Sequence, residues 1–134
     1  MNNLFQINSS VIILNSKNEV LLAKRSKTED VHPGLWCIPG GKLENTDSCL
    51  EDGLRREVRE EIGIEISDII LIKDDLNCSL DVDKLYLIFS AKHSSGDPQP
   101  LDSTDKVVWF NAENLPNENE FTPRTRDIIL NILK

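Results

Sequence analysis

The sequence predicts a mixed α/β fold in which one sheet lies between helices. Several short runs of β-branched and aliphatic residues are separated by polar turns, and one stretch of strong helix formers interrupts them. A second amphipathic stretch follows the last of these runs. An order of strands, helix, strands and helix is typical of a sheet that helices cover on both faces.

Length and composition fit one domain, residues 1–134. The chain is 39% hydrophobic and 28% charged, which is ordinary for a globular protein. No apolar run approaches the ~18 residues of a membrane span, and MNNLFQINSS at the N-terminus lacks the pattern of a signal peptide. A net charge of −8 argues against nucleic-acid binding, which needs basic patches. Three cysteines without CxxC spacing indicate reduced thiols and a cytoplasmic location.

The first part of the chain predicts a pair of strands and a short third strand. Residues 11–14 are continuously apolar, which predicts a strand covered on both faces, and residues 20–23 predict a second strand after a polar turn at 15–18. Arg25 then follows, either as a phosphate contact or as an exposed strand-end arginine. Trp36 and Ile38 alternate around Cys37 in a short strand that should stop at Pro39.

The central helical stretch carries three carboxylates on one face. Glu57, Glu60 and Glu61 have the spacing i, i+3, i+4, so their side chains are neighbours. At about 100° per residue they flank the apolar stripe, which consists of Leu50, Leu54, Val58 and Ile62. Like charges at this spacing are unfavourable by a few tenths of a kcal/mol per pair unless a cation lies among them. Carboxylate oxygens suit Mg²⁺ or Mn²⁺, and the alternative is a solvated charged face.

This stretch resembles the Nudix box, in which a glycine, five residues, Glu and seven residues precede Arg-Glu, an aliphatic, any residue, Glu-Glu, any residue, Gly and an aliphatic. Residues 56–64 match the second half at every position. The first half, counted from Gly41, departs from this pattern, because Asp47 holds the Glu position. Eight residues, rather than seven, then separate Asp47 from Arg56. Residues 34–42 also resemble the family's W-x-(L/I)-P-G-G-K segment.

The resemblance implies a Nudix-type α/β/α sandwich with a mixed central sheet, and a Mg²⁺-dependent hydrolase of pyrophosphate linkages. It implies that Glu57, Glu60 and Glu61 bind the metal together with the Gly41 carbonyl. Arg56 would orient the loop and a box glutamate through an ion pair. Mn²⁺ could replace Mg²⁺ at such a site.

The later part of the chain predicts further strands and a terminal helix. Strands are expected at residues 66–72, 84–91 and 106–110, with a polar link after the first of them. Gly63 should end the central helix. The terminal helix should begin with Thr122 as N-cap and Pro123 at the first helical position.

Four residues outside the box are candidates for the site. The resemblance implies that the general base is either a box glutamate or an acid on a later loop. Asp102 and Asp105 are the candidates in that loop, and for each of them a solvated loop acid is the favoured alternative. Lys42 is either a phosphate contact or a solvated loop lysine. By resemblance to MutT-type nucleoside triphosphate pyrophosphohydrolases, Asn119 would contact a purine base, and an exposed loop is the alternative.

These features favour an enzyme that cleaves a nucleoside diphosphate linked to a further group X. The favoured substrate is a nucleoside triphosphate, giving the monophosphate and pyrophosphate. Alternatives are a nucleotide-sugar, ADP-ribose or dinucleoside polyphosphate pyrophosphatase, or a non-catalytic nucleotide-binding regulatory module. The partner expected is a small nucleotide, with neither nucleic acid nor membrane, and the sequence leaves monomer and homodimer open.

Overall fold

The computed structural model describes residues 4–78 and 82–133. Within that part of the chain the strands are β1 (Phe5–Leu14), β2 (Val20–Arg25), β3 (Trp36–Cys37), β4 (Gly40–Lys42), β5 (Glu65–Asn77), β6 (Asp83–Ser95) and β7 (Thr104–Phe110). The helices are α1 (Leu50–Glu61) and α2 (Thr125–Leu133), and a 3₁₀ turn spans Glu118–Glu120. None of the described helices is long and apolar enough to cross a membrane.

The strands form one mixed sheet. Its main path runs β3, β2, β1, β6, β5, with β4 paired to β1 and β7 paired to β2. The β1 and β6 strands are parallel, whereas β2, β4 and β7 are joined to their partners in antiparallel fashion. The β1 strand is therefore central and joins three neighbours.

The centre of β1 is buried on both faces of the sheet. Val11 and Ile13 pack in one apolar cluster that includes Leu54, Val58 and Ile62 of the α1 segment. Ile12 points the other way and packs in a second cluster, which contains Ile129 and Leu133 of α2. Since Val11, Ile12 and Ile13 are all completely buried, the prediction of a doubly covered strand is confirmed, and so is the α/β/α arrangement.

The chain returns to the sheet immediately after Pro39, where the sequence predicted an end to the strand. Gly41 lies opposite Ser9 and Gly40 opposite Ser10, so β4 is an antiparallel neighbour of β1. A Cβ atom at Gly40 would lie 2.1 Å from the Ser9 carbonyl oxygen. The pairing therefore depends on glycine, whose missing side chain lets the two backbones approach this closely.

Two other boundaries were predicted wrongly. The terminal helix begins at Thr125 rather than after Thr122, because Arg124 has a φ of 65° and interrupts the helical path after Pro123. The first four residues of the predicted polar link, 74–77, are strand, since β5 continues to Asn77, which pairs with Lys84 of β6. Backbone pairing between strands overrides the polar character of these residues. Residues 79–81 of that link lie outside the described residues.

Gly40→Ala should destabilise the fold, because the new methyl group would meet backbone that cannot rotate away. We expect the free energy of unfolding to fall by about 1–3 kcal/mol, as measured by chemical denaturation. Ser94→Ala, which also places alanine in a strand but at an exposed position, is the control and should be nearly neutral. Equal stability of the two variants would contradict the close approach at Gly40.

Candidate active site

The α1 helix presents its acidic residues at the edge of a buried stripe. Leu54 and Val58 are completely buried and fix the rotation of the helix against the sheet. At its end, the Gly63 N–H donates to the carbonyls of Val58 and Arg59 at 3.1 and 3.0 Å, and Gly63 has a φ of 77°. The predicted glycine cap is therefore confirmed.

The three glutamates of α1 differ in their exposure to solvent. The Glu57 side chain is 13% exposed and the Glu60 side chain is 51% exposed. Glu61 is partly buried. The helix therefore presents a row of carboxylates that extends from the protein interior to open solvent.

Arg56 joins this row to the loop that follows β4. Its Nε and Nη2 atoms donate to the two carboxylate oxygens of Asp47, each at 2.9 Å. Its Nη1 atom donates to Glu57 at 3.1 Å and approaches Glu60 at 3.3 Å. Nη2 also donates to the Lys42 carbonyl at 3.3 Å. The predicted ion pair between Arg56 and a box glutamate is present in this arrangement, together with the contact to the loop.

Asp47 reaches Arg56 despite the extra residue in this part of the chain. Its Oδ2 atom also accepts the Glu44 N–H at 2.8 Å, and its side chain is only 5% exposed. Gly53 of α1 leaves room for it, because a Cβ there would lie 2.9 Å from Asp47 Oδ2. The hydrogen bonds from Arg56, followed by that from Glu44, lower the pKa of Asp47 to about 2.

Glu57 lies directly against the backbone of Gly41. A Cβ atom at Gly41 would be 2.5 Å from the Glu57 carboxyl carbon. The structure therefore brings together two of the predicted metal ligands, the Glu57 carboxylate and the strand that carries the Gly41 carbonyl. Burial raises the pKa of Glu57, and the positive charge of Arg56 opposes that effect.

Glu61 lines a polar cavity of about 120 Å³. The cavity is lined by Ala23, Lys24, Arg25, Glu29, Cys37, Glu61, Asp102, Ser103 and Thr104. Burial, and secondly the charge of Glu57, raise the pKa of Glu61 to about 8, while a hydrogen bond from the Gly40 backbone opposes the shift. Burial likewise raises the pKa of the Cys37 thiol to about 11. Burial therefore favours the protonated, uncharged forms of both groups.

The glutamates have the chemistry of a divalent-metal site, but their side chains are not grouped as one. In residues 4–78 and 82–133, no three His, Cys, Asp or Glu side chains are grouped so that they could hold a metal ion as they stand. Arg56 instead hydrogen-bonds to both Glu57 and Glu60. Carboxylate oxygens and a backbone carbonyl nevertheless suit Mg²⁺, and the half-exposed Glu60 side chain has room to turn toward an ion when it leaves Arg56.

The remaining predicted residues are divided between the cavity and the surface. Arg25 lines the cavity, where its Nε atom donates to the Val31 carbonyl at 2.9 Å. Asp102 lines the same cavity as Glu61, whereas Asp105 is exposed on β7. Lys42 is exposed on β4. The structure therefore groups Arg25 and Asp102 with Glu61 and does not place Asp105 among the cavity residues.

Asn119 is exposed in the 3₁₀ turn and is not among the cavity residues. The turn is closed by Glu120, whose carboxylate accepts the Asn117 N–H at 2.9 Å. This position agrees with the alternative of an exposed loop that the sequence left open.

Sequence reasoning did not identify Cys37 as a cavity residue. Trp36 and Ile38 pack in the cluster that contains α2, so strand alternation turns Cys37 to the opposite side of the sheet. That alternation was the available signal. The placement of Asp102 had no local signal, because it depends on the Leu101 N–H, which donates to the Glu61 carbonyl at 3.0 Å and fixes the loop to the end of α1.

Comparison with known proteins places this geometry in context. A family model described as "NUDIX domain" matches residues 4–132. The chain is 33% identical over 106 residues to the nucleoside triphosphatase NudI of Salmonella schwarzengrund, covering 71% of this chain and 74% of that protein. It is 46% identical over 61 residues to the 8-oxo-dGDP phosphatase NUDT18 of Danio rerio, covering 46% of this chain and 18% of that protein.

A solved structure has the same fold over nearly the whole chain. The crystal structure of a MutT NUDIX hydrolase from Burkholderia pseudomallei superposes with a TM-score of 0.80 and 24% identity. The match covers 98% of this chain and 99% of that one. The sheet and its two helices are therefore those of the MutT structures.

Asp47→Asn should lower stability in a pH-dependent way. The pKa of Asp47 is about 2 in the folded protein, and an aspartate in an unfolded chain titrates near ~3.9. A lowered folded-state pKa contributes stability that is complete above ~4 and is lost as the pH falls toward about 2. Chemical denaturation at several pH values should therefore show the difference between wild type and variant shrinking below about pH 4.

Asp30→Asn is the control for this titration, since Asp30 is exposed in the loop before β3. It should show no comparable pH-dependent difference. A deficit of Asp47→Asn that stayed constant from neutral to acid pH would mean that the charged pair with Arg56 is not its source.

Proposed function

The chain belongs to the NUDIX domain family and is thus a Nudix hydrolase that acts on nucleotide substrates, and from this membership we propose a Mg²⁺-dependent nucleoside triphosphate pyrophosphohydrolase. The products would be the nucleoside monophosphate and pyrophosphate. The observation that carries the proposal is the position of the Glu57 carboxylate against Gly41, with Glu60 and Glu61 beside it on α1.

The relatives support a nucleotide with a chain of phosphates as the substrate. NudI is named as a nucleoside triphosphatase, and NUDT18 is named as a phosphatase of 8-oxo-dGDP. Both names describe cleavage within the phosphate chain of a nucleotide. The match to NudI covers most of both proteins, so the triphosphate is the substrate we favour.

Four groups of this chain would hold the metal. These are the carboxylates of Glu57, Glu60 and Glu61 and the carbonyl of Gly41. A bound Mg²⁺, or Mn²⁺ in its place, would neutralise phosphate charge and make a water molecule more acidic.

The two hydrogen bonds from Arg56 to Asp47 are shorter than the contacts of Arg56 with Glu60. Glu60 can therefore leave Arg56 while Arg56 continues to hold the loop against the helix.

Cationic side chains on both sides of the glutamates can bind the phosphates. Arg25 lines the cavity with Glu61, and Lys42 is exposed on the strand that contains Gly41. A chain with a net charge of −8 would repel a nucleotide at long range. Local cations therefore provide the attraction that the overall charge does not, and Asn119 remains a prediction for contact with the base.

Asp102 is the better of the two loop acids for the role of general base. It lines the cavity together with Glu61, whereas Asp105 does not. Its carboxylate would accept a proton from the attacking water as the water oxygen bonds to phosphorus. The phosphorus–oxygen bond to the leaving group then breaks, and pyrophosphate departs. A box glutamate remains the alternative base.

Glu60→Gln should remove most turnover while leaving the fold intact. The substitution replaces a half-exposed carboxylate by a neutral amide of the same shape. The variant therefore loses a proposed metal ligand and keeps its core packing. We expect kcat to fall by about 10²–10³-fold, the scale of losing one group that stabilises transition-state charge. Pyrophosphate and phosphate release should be measured with Mg²⁺ and with chelator, on nucleoside triphosphates, ADP-ribose, nucleotide sugars and dinucleoside polyphosphates.

Glu51→Gln is the matched control, because Glu51 is exposed in the first turn of the same helix. It should retain wild-type turnover. Full activity of Glu60→Gln would refute the metal assignment. Cleavage of the other compounds but not of triphosphates would refute the proposed substrate, and nucleotide binding without any cleavage would favour a regulatory module.

Asp102→Asn and Asp105→Asn separate the two candidate bases. Loss of a general base lowers kcat by about 10²–10⁴-fold, and we expect this loss for Asp102→Asn only. Substrate KM should change little in either variant, because neither carboxylate attracts an anionic phosphate. A loss of kcat in Asp105→Asn but not in Asp102→Asn would reverse the assignment.

A further inference from the structure

The α2-facing side of the sheet is only partly covered by that helix. Side chains alternate along β1, so Gln6 and Asn8 share the face of Ile12. Ile12 is completely buried under α2, whereas Gln6 and Asn8 are partly exposed. Because β1 lies in the middle of the sheet, this difference means that α2 leaves the first half of the strand open.

A row of polar and aromatic residues crosses the sheet at Asn8. Asn8 lies opposite Lys42 of β4 on one side and opposite Tyr86 of β6 on the other. Tyr86 in turn lies opposite Asp75 of β5. Residues that lie opposite one another in a sheet point to the same face. Arg124, which precedes α2, reaches Asp75 at 3.2 Å and therefore borders the row.

Two buried oxygen atoms in this region have no hydrogen-bond partner among residues 4–78 and 82–133. They are Oε1 of Gln6 and Oδ1 of Asn8. Folded proteins rarely leave such atoms unpaired, and each exception calls for a partner from outside the chain, such as water or a ligand. Since same-face neighbours on a strand are about 6.7 Å apart, the two carboxamides can turn toward one planar group.

This row begins next to the site proposed for the phosphates. Lys42, its first member, follows Gly41, whose backbone supports Glu57. A nucleotide whose phosphates lie beside Glu57 would therefore extend its base across β4 and onto Asn8 and Tyr86. In this arrangement β4 would lie between the phosphates and the base.

We propose that Gln6 and Asn8 are specificity-determining residues that accept hydrogen bonds from the base of the nucleotide, with Tyr86 as its stacking surface; the inference rests on the proposed function. Two carboxamide oxygens select a base edge with two adjacent N–H groups. Guanine has this edge, formed by its ring N–H and its exocyclic amino group. Adenine and cytosine present only an amino group there, and uracil presents one ring N–H. Stacking on an aromatic ring adds affinity without selecting a base.

The experiment compares wild type with Gln6→Leu and Asn8→Leu. Binding of GMP, AMP, CMP and UMP is measured by calorimetry in the presence of chelator, so that neither metal nor turnover enters the result. Wild type should bind GMP most tightly, and each variant should lose about tenfold or more of its affinity for GMP. The thermal midpoint should stay equal or rise, because leucine removes an unpaired polar group from a partly buried position.

Two further variants make the outcome specific. Asn131→Leu alters an exposed amide on α2 and should leave the ranking of the four monophosphates unchanged. Asn8→Asp keeps the acceptor oxygen and replaces the amide donor by a second acceptor oxygen, so it should retain the preference for GMP even where a leucine variant fails to fold. Loss of that preference in Asn8→Asp would overturn the acceptor role.

The result separates this inference from the proposed function. An unchanged ranking in Gln6→Leu and Asn8→Leu, or an equal loss for all four monophosphates, would overturn the inference even if wild type cleaves triphosphates. Conversely, absence of pyrophosphate release would refute the proposed function, while binding of the monophosphates would still decide the role of the two amides.

Discussion

The paired hydrogen bonds between Arg56 and Asp47 are the interaction on which the candidate site depends. They attach the loop after β4 to the helix that carries the glutamates, at 2.9 Å on each side. The same guanidinium lies between Glu57 and Glu60, where it offsets the repulsion expected of carboxylates one helical turn apart. A single charged group thus determines both where the loop lies and how the acidic residues are arranged.

Close packing at β4 supplies the second constraint. The backbone of Gly40 approaches Ser9, and that of Gly41 supports the Glu57 carboxylate. Neither approach is possible with a side chain in place. As a result one short strand lies between two different environments, with carboxylates on the α1 side and the row of Asn8 and Tyr86 on the α2 side. A nucleotide has the same division between phosphates and base. The proposed phosphate site and the proposed base site therefore fit a single nucleotide.

Much of the site could be predicted because its residues belong to one helix. The spacing of Glu57, Glu60 and Glu61 fixes their common face once the helix forms, and Gly63 ends it as expected. That Asp102 rather than Asp105 lines the cavity with Glu61 could not be predicted, since it depends on hydrogen bonds between a loop and the end of α1. The beginning of α2 was missed for a similar reason, because the conformation of Arg124 overrides the local preference for a helix at Pro123.

The sequence by itself determined the elements whose pattern is local: a doubly buried strand at Val11, an amphipathic acidic helix, and a cap at Gly63. Periodicity and backbone preference act over a few residues, and a sequence displays both directly. Only the tertiary structure decided that β4 pairs with β1 and that Asp47 reaches Arg56. It alone also shows that one side-chain oxygen of Gln6 and one of Asn8 have no partner within the described part of the chain. These facts depend on contacts between segments distant along the chain, and no spacing within a single segment encodes them.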